Sequence, residues 1–353
     1  MTSLAAANPR RVAVVLFNLG GPDRPEAVRP FLFNLFNDPA IIQVPNPFRT
    51  LLAHLISWRR SKPAGEIYAH LGGGSPLLPN TQAQAQALEA ALQGEGRQVR
   101  CFIAMRYWHP MSFEAATQVK EFRPDLVVLL PLYPQYSSTT TGSSVKAWHE
   151  AAKAVGLAVP TRMALSYPDD EGFIAAQAEL IRKAYDEACA FGKPRVLMSA
   201  HGLPKKIIAG GDPYQWQCEQ TAASIAEALN IDGLDWVNCY QSRVGPLEWI
   251  GPSTDDEIRR AAADKVPLVV APIAFVSDHS ETLVEIEIEY RHLAKEAGVP
   301  AFFRVPAVGT HPDFIAGLAQ RVDGMIEQRD RRAPAGQIEQ GCSGNKGACS
   351  SCG

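Results

Sequence analysis

Short apolar runs alternate along the chain with longer segments whose apolar positions recur every three or four residues, the mark of buried strands alternating with amphipathic helices. In the first half the runs lie at 12–19, 99–104, 125–131 and 161–165, and the helical periods at 24–36, 48–58, 81–92, 112–122 and 145–154. The second half repeats the plan, with runs at 195–199, 236–241, 269–275 and 301–305 and helical periods at 171–190, 214–229, 255–263, 279–293 and 312–328. Strands that are apolar throughout are covered on both faces, so the pattern predicts parallel sheets with helices on each side. The expected class is α/β, as two similar doubly wound domains with a cleft between their strand carboxyl ends. The boundaries are set at 1–165, 166–330 and a tail at 331–353.

One stretch breaks the rule that strands lead into ordinary surface helices. Residues 271–290, APIAFVSDHSETLVEIEIEY, pass from an apolar strand into a helix rich in carboxylates, with Ser277 or Asp278 expected as its N-cap. Glu281, Glu285 and Glu289 share one helical face, bordered by Val284/Ile288 on one side and by Leu283, Ile286, Tyr290 and Leu293 on the other. Like charges at this spacing repel by about 0.2–0.5 kcal/mol even in water, so a positive group is expected to offset them. The stripe reads either as a surface face beside Arg291 and Lys295, or as a cleft wall that handles a metal cation or protons, with Asp278, His279 and Glu281 at its mouth.

Composition narrows the field. A chain of 353 residues suits two cores rather than one, and 46% hydrophobic with 20% charged residues is globular. A net charge of −3 without a basic cluster gives no nucleic-acid signature. Neither a signal peptide nor an apolar run of the roughly 18 residues needed to cross a bilayer is read, and a cytoplasmic protein is expected. Seven cysteines in such a chain point to metal or redox use rather than to structural disulfides.

Candidate chemistry gathers at strand ends, where open α/β sheets bind ligands. Gly20-Gly21-Pro22 turns sharply after the first strand without the spacing of a dinucleotide fingerprint, and Gly72-Gly73-Gly74-Ser75-Pro76 lacks the Lys-Ser/Thr of a phosphate loop. Arg106, Tyr107, Trp108 and His109 bring a cation, a phenol, an indole and an imidazole to the end of another strand. His201 follows a buried strand and precedes Gly202 and Pro204; facing the Glu281 stripe across a cleft it would complete a proton-and-metal site. Residues 24–60 are dense in large apolar side chains, among them Phe31, Phe36, Phe48, Leu51, Leu55 and Trp58, and close on Arg59, Arg60 and Lys62. They form either a pair of core helices or a greasy lip that meets a membrane interface or an apolar ligand.

NLGGP at 18–22, GGGSPL at 72–77, RYWHP at 106–110, YPQYSSTTTGSS at 133–144, SAHGLP at 199–204, YQSRVGPLEWIGPSTDD at 240–256 and PIAFVSDHSETLVEIEIEY at 272–290 together resemble the ferrochelatase family, in order from about residue 12 to 328. The resemblance implies two Rossmann-like domains around a porphyrin cleft, and insertion of Fe²⁺ into protoporphyrin IX to give protohaem with release of two protons. It implies His201 and Glu281 as the iron site, with Glu285, Glu289 and Asp278 as the acidic path beside them, and Leu19, Arg106, Tyr107, Trp249 and Phe275 lining the macrocycle. The expected partners are protoporphyrin IX, a membrane surface met by the lip on its inner face, and a second copy of the chain as a homodimer. Ala69-His70-Leu71 stands where some members have a basic residue before the glycine loop. Other readings are a chelatase for coproporphyrin or for cobalt, and a porphyrin or haem carrier without catalysis.

The tail sets Cys342, Cys349 and Cys352 among small residues, as a loop wrapping a metal centre would. Animal members of the family carry a [2Fe–2S] cluster on three tail cysteines and one internal one. Here the tail spacing differs and Ser137 or Ser138 stands at the internal position, so a fourth ligand is sought among Cys101, Cys189, Cys218 and Cys239. A [2Fe–2S] centre is expected.

Overall fold

A computed structural model describes residues 10–94, 96–243, 245–327 and 338–341. Its strands are β1 (Arg10–Asn18), β2 (Arg97–Met105), β3 (Leu126–Pro131), β4 (Thr161–Ala164), β5 (Arg195–His201), β6 (Asp235–Gln241), β7 (Leu268–Pro272), β8 (Phe302–Arg304) and β9 (Ile338–Gly341). They pair in parallel as two sheets, ordered β2-β1-β3-β4-β9 and β6-β5-β7-β8. The central strands are sealed on both faces, which is why their sequences are continuously apolar. The helices are α1 (Val28–Phe36), α2 (Phe48–Ala69), α3 (Leu77–Leu92), α4 (Ser112–Phe122), α5 (Ser143–Val155), α6 (Glu171–Ala188), α7 (Lys205–Ala209), α8 (Tyr214–Leu229), α9 (Thr254–Asp264), α10 (Arg291–Ala297) and α11 (Pro312–Glu327).

Three departures from the sequence reading have physical causes. The lip helix α2 runs on to Ala69 through Pro63, because the proline sits on an exposed face where its missing N–H is tolerated while the helix packs on α1. Glu281–Tyr290 closes with i→i+5 hydrogen bonds, a wide helix that continues as α10. Its N-cap is Ser280 without a side-chain bond, since Ser277 is drawn to Gln84 and Asp278 to Arg304. The pairing of β9 along β4 was not legible at all.

The two halves are not separate bodies. Helix α11 leaves the second sheet to pack on α6 and α3, and it meets α6 where Gly172 and Gly317 face each other. A Cβ on Gly172 would lie 2.3 Å from the Asp313 carbonyl, so the helices touch only because glycine is there. Asp170 caps α6 through Phe173 N–H and pairs with Arg321 of α11 at 2.9 Å.

A seam of buried amides joins the halves. Gln84 of α3 donates through Nε2 to the carbonyls of Val276 (2.8 Å) and Gly309 (2.9 Å) and accepts from Ser277 Oγ through Oε1. Asn80 donates to the Asp278 carbonyl, Gln135 to Thr221 and to the Ile273 carbonyl, and Gln217 accepts from Tyr136 N–H. The loop 273–280 is thus held from outside its own sheet. Replacing Gln84 by leucine leaves the Gly309 carbonyl and the Ser277 hydroxyl without a partner and takes one of two donors from the Val276 carbonyl, which keeps Gly309 N–H, and urea unfolding with an unchanged m value should record a loss of about 1–3 kcal/mol.

Candidate active site

β5 ends at His201, and the turn behind it is tight. A Cβ on Gly202 would lie 2.9 Å from the Gln241 carbonyl and 3.3 Å from the Trp249 ring. His201 Nδ1–H donates to the Gly202 carbonyl at 2.6 Å, which leaves Nε2 with its lone pair facing Glu281 Oε2 at 3.8 Å. On the other side of that oxygen lies His279 Nε2, at 4.0 Å. The His279 ring packs on Phe275, with centroids 4.8 Å apart, and burial holds its pKa below the ordinary imidazole value although Glu281 and Asp278 pull the other way.

Glu281 Oε2 and His279 Nδ1 are buried without a hydrogen-bond partner, as is Trp249 Nε1. Unpaired polar atoms buried together are costly, and the Glu281 and His279 atoms, on neighbouring side chains, call for a ligand.

Glu285, one turn further, is handled in the opposite way. It accepts from Gln241 Nε2 (2.9 Å), Ser242 N–H (2.8 Å), Ser242 Oγ (2.5 Å) and Tyr290 OH (3.1 Å). Ser242 reaches it from a left-handed backbone, φ 60°. Burial and the neighbouring Glu281 charge still raise the Glu285 pKa. The offset expected for the acidic stripe is therefore supplied at Glu285 by neutral donors rather than by a cation.

The remaining residues of the acidic path diverge. Asp278 turns away to Arg304 (3.0 Å) and to Ala307 N–H, while Arg304 also reaches Glu287 at 3.3 Å. Glu289 is exposed at the far end of the helix.

The opposite wall comes from the first sheet. Leu19 and Tyr107 belong to the apolar cluster that packs Phe31, Leu32 and Tyr68 of the lip, and Tyr107 is wholly buried. Arg106 and Tyr107 converge on Asp38, a residue the sequence reading passed over. Asp38 Oδ2 accepts from Arg106 (2.8 Å), Tyr107 OH (2.8 Å) and Ser143 Oγ, and Oδ1 accepts from Ala40 N–H. Burial opposes its ionisation, yet the bonds from Ser143 and Ala40 and the Arg106 charge hold its pKa below the usual carboxylate range. Tyr68 joins the walls: it lies near Ser280 and Glu281, and burial pushes its pKa up to about 12. Asp38, Tyr68 and Gln84 could have been suspected only as polar residues inside apolar periods.

Among the described residues one cluster of three side chains has its ligand atoms close enough to share a metal ion, Glu179, His311 and Asp313. Its imidazole is already used, accepting from Asp313 N–H at Nδ1 and facing Glu179 at 3.4 Å through Nε2. Cys342, Cys349 and Cys352 lie outside the described residues.

Comparison with known proteins gives the same picture from another direction. The family model described as ferrochelatase matches residues 11–326. The ferrochelatase of Caulobacter vibrioides is 55% identical over 341 residues, covering 96% of both chains. That of Phenylobacterium zucineum is 56% identical over 331 residues, covering 92% of this chain and 94% of its own. Among solved structures, SirB from Bacillus subtilis with Fe3+ superposes with a TM-score of 0.54 at 11% identity, over 90% of this chain and 96% of its own, a likeness of fold alone.

His279 generates a pH test. Its folded pKa lies below the ordinary value of 6.5, so as pH falls the unfolded chain takes up the proton first. Its contribution to stability is full above pH 6.5 and is lost as pH falls from there through the folded value. Urea midpoints measured at about pH 7 and about pH 5 should therefore differ less in His279→Gln than in the unsubstituted protein. An equal difference in both would remove His279 from this account.

Proposed function

The chain belongs to the ferrochelatase family and inserts ferrous iron into protoporphyrin for haem synthesis, and from that premise we propose the part each residue takes. The reaction exchanges two pyrrole N–H bonds for iron–nitrogen bonds, with iron remaining ferrous and two protons leaving. His201 Nε2 takes the pyrrole protons, and Glu281 meets the incoming iron and relays protons outward. The reading is carried by the bare Glu281 oxygen between two imidazoles. Glu285 is closed to metal, because each of its oxygens already accepts two hydrogen bonds, and it takes up a proton only when a donor such as the Ser242 hydroxyl turns away. Glu289 ends the path at solvent, and Asp278 acts through Arg304 by fixing the loop. Leu19, Trp249 and Phe275 are the apolar walls, and Arg106 and Tyr107 support them from Asp38. Bending of the ring against these walls would bring its nitrogens toward the geometry of the transition state.

The lip is assigned to a membrane surface. Phe48, Leu51 and Trp58 are more than 60% exposed, Leu55 lies with them on α2, and Arg59, Arg60 and Lys62 follow on exposed positions. An apolar helix face with basic residues beside it suits an anionic lipid interface, from which an apolar disc would be collected. No described helix is long and apolar enough to cross a membrane.

A [2Fe–2S] centre on Cys342, Cys349 and Cys352 is also proposed, supplying one-electron chemistry when bound. Three thiolates suit it; a fourth from the described residues does not. Cys101 lies on β2, at the sheet edge opposite β9, and burial raises the thiol pKa of Cys101, Cys218 and Cys239. Cys189 is exposed, but its turn packs Phe191 on Phe303 of β8, at the edge of the other sheet.

Anaerobic Fe²⁺ insertion into protoporphyrin IX, followed by loss of porphyrin fluorescence, tests the first assignment. His201→Ala should lower turnover by about 10²-fold or more while porphyrin still binds. Retained turnover would remove His201 from the chemistry, and tight binding without turnover even in the unsubstituted enzyme would favour a carrier. For the lip, Leu51→Ser with Trp58→Ser should weaken binding to anionic phosphatidylserine-containing vesicles at least about tenfold and leave insertion in detergent unchanged.

A further inference from the structure

His201 Nε2 and Glu281 Oε2 stand 3.8 Å apart, too far for a hydrogen bond, so the two groups do not hold each other in place. Their separation is set by what grips their backbones. On the histidine side, the imidazole donates to the Gly202 carbonyl, and Gly202 N–H donates in turn to the Gln241 carbonyl at 2.8 Å. His201 and Gln241 are also register partners, at the ends of β5 and β6. On the acid side, Gln241 Nε2 donates to the Glu281 carbonyl (3.0 Å) and to Glu285 Oε2 (2.9 Å).

Both partners are thus tied through one residue. Of the described side chains, that of Gln241 alone donates to the Glu281 carbonyl. Gln84 and Asn80 grip the loop that comes before, as far as Asp278, and the side chains of Ser242 and Tyr290 reach the Glu285 carboxylate. The Gln241 amide has one workable orientation. The Glu281 carbonyl and the ionised Glu285 carboxylate are acceptors, so the NH2 end must face them, and Oε1 faces Ser199, whose hydroxyl donates to it at 2.8 Å. Ser199 lies two residues before His201 on β5, and its side chain and that of Gln241 are buried, so water does not compete for these bonds.

We propose that Gln241 is a positioning residue for the insertion reaction: its amide, oriented by Ser199, sets the gap in which His201 Nε2 and Glu281 Oε2 meet the substrate. The proposal rests on the roles given to His201 and Glu281 above. Gln241 acts through those two groups and not on the porphyrin, since its amide protons go to Glu281 and Glu285 and its oxygen accepts from Ser199.

The test is anaerobic iron insertion by the full chain, with kcat and the porphyrin KM separated. Gln241→Leu keeps the bulk and loses the three bonds of the amide. Its kcat should fall at least about tenfold while the porphyrin KM and equilibrium porphyrin binding stay within about twofold, because alignment is lost and substrate contact is not. Ser199→Ala, the milder variant, removes only the donor to Oε1; it should lower kcat about threefold or more at the same KM, and it decides the matter if Gln241→Leu does not fold. Unchanged kcat in either variant while porphyrin is bound overturns the proposal, as does a porphyrin KM that rises with kcat unchanged. His201→Ala measured alongside separates the two readings. Turnover lost there and kept in Gln241→Leu overturns the positioning role alone, whereas turnover kept in His201→Ala removes the roles on which it rests.

Discussion

A carboxylate oxygen buried between two imidazoles, bonded to neither, is the constraint to which the site is built. Glu281 Oε2 has lost water without gaining a donor, at a cost that the surrounding structure must cover. It is covered by fixing everything around it. Gly202 takes the proton of His201 Nδ1 on its carbonyl, Phe275 packs on His279, and Tyr68 reaches from the lip to Ser280. Four donors absorb Glu285, so the second carboxylate does not add a bare charge to the first. The wide helix that carries both acids belongs to the same arrangement, since i→i+5 closure is a weak geometry kept where side-chain placement requires it.

The two halves serve the site by holding each other's loops. Helix α3, from the first half, grips the 273–280 loop of the second through Gln84 and Asn80. In return the second half supplies Thr221 and Gln217 to the 133–138 loop of the first. Asp38 extends the same principle to the lip, because it follows the C-cap of α1 and receives Arg106, Tyr107 and Ser143. A displacement of the lip at Asp38 is therefore also a displacement of Arg106, Tyr107 and Ser143.

Periodicity carried the strand–helix alternation because buried parallel strands and amphipathic helices obey simple rules of spacing. It placed α4 and α8 to the residue, and it put His201 at a strand end and Glu281 in the helix that follows another strand. It could not see past Pro63, where tertiary packing outweighs a local breaker, nor detect β9, whose four residues IEQG have no strand pattern of their own. Gln84 and Asp38 were invisible for a related reason. A polar residue within an apolar period looks the same from sequence whether it faces water or a buried carbonyl, and only the long-range partner distinguishes the two.

The division between scaffold and site can be drawn from how polar groups are satisfied. Asp38, Asp170, Asp235 and Asp278 each have a guanidinium partner at 3.0 Å or less, and their pairing ties elements together. Glu281, His279 and Trp249 have buried atoms with no partner, and all three lie on the segments that close the second sheet's carboxyl end. Folding alone would favour pairing or replacing such atoms, since apolar substitutes of similar size would remove the desolvation cost. For Glu281 and His279 a bound partner would remove that cost: the carboxylate oxygen can accept a proton or meet a cation, and the imidazole nitrogen can do either. The same comparison separates Glu285 from Glu281 although the two are one turn apart: donors occupy both oxygens of Glu285, whereas Glu281 keeps an oxygen with no donor on it.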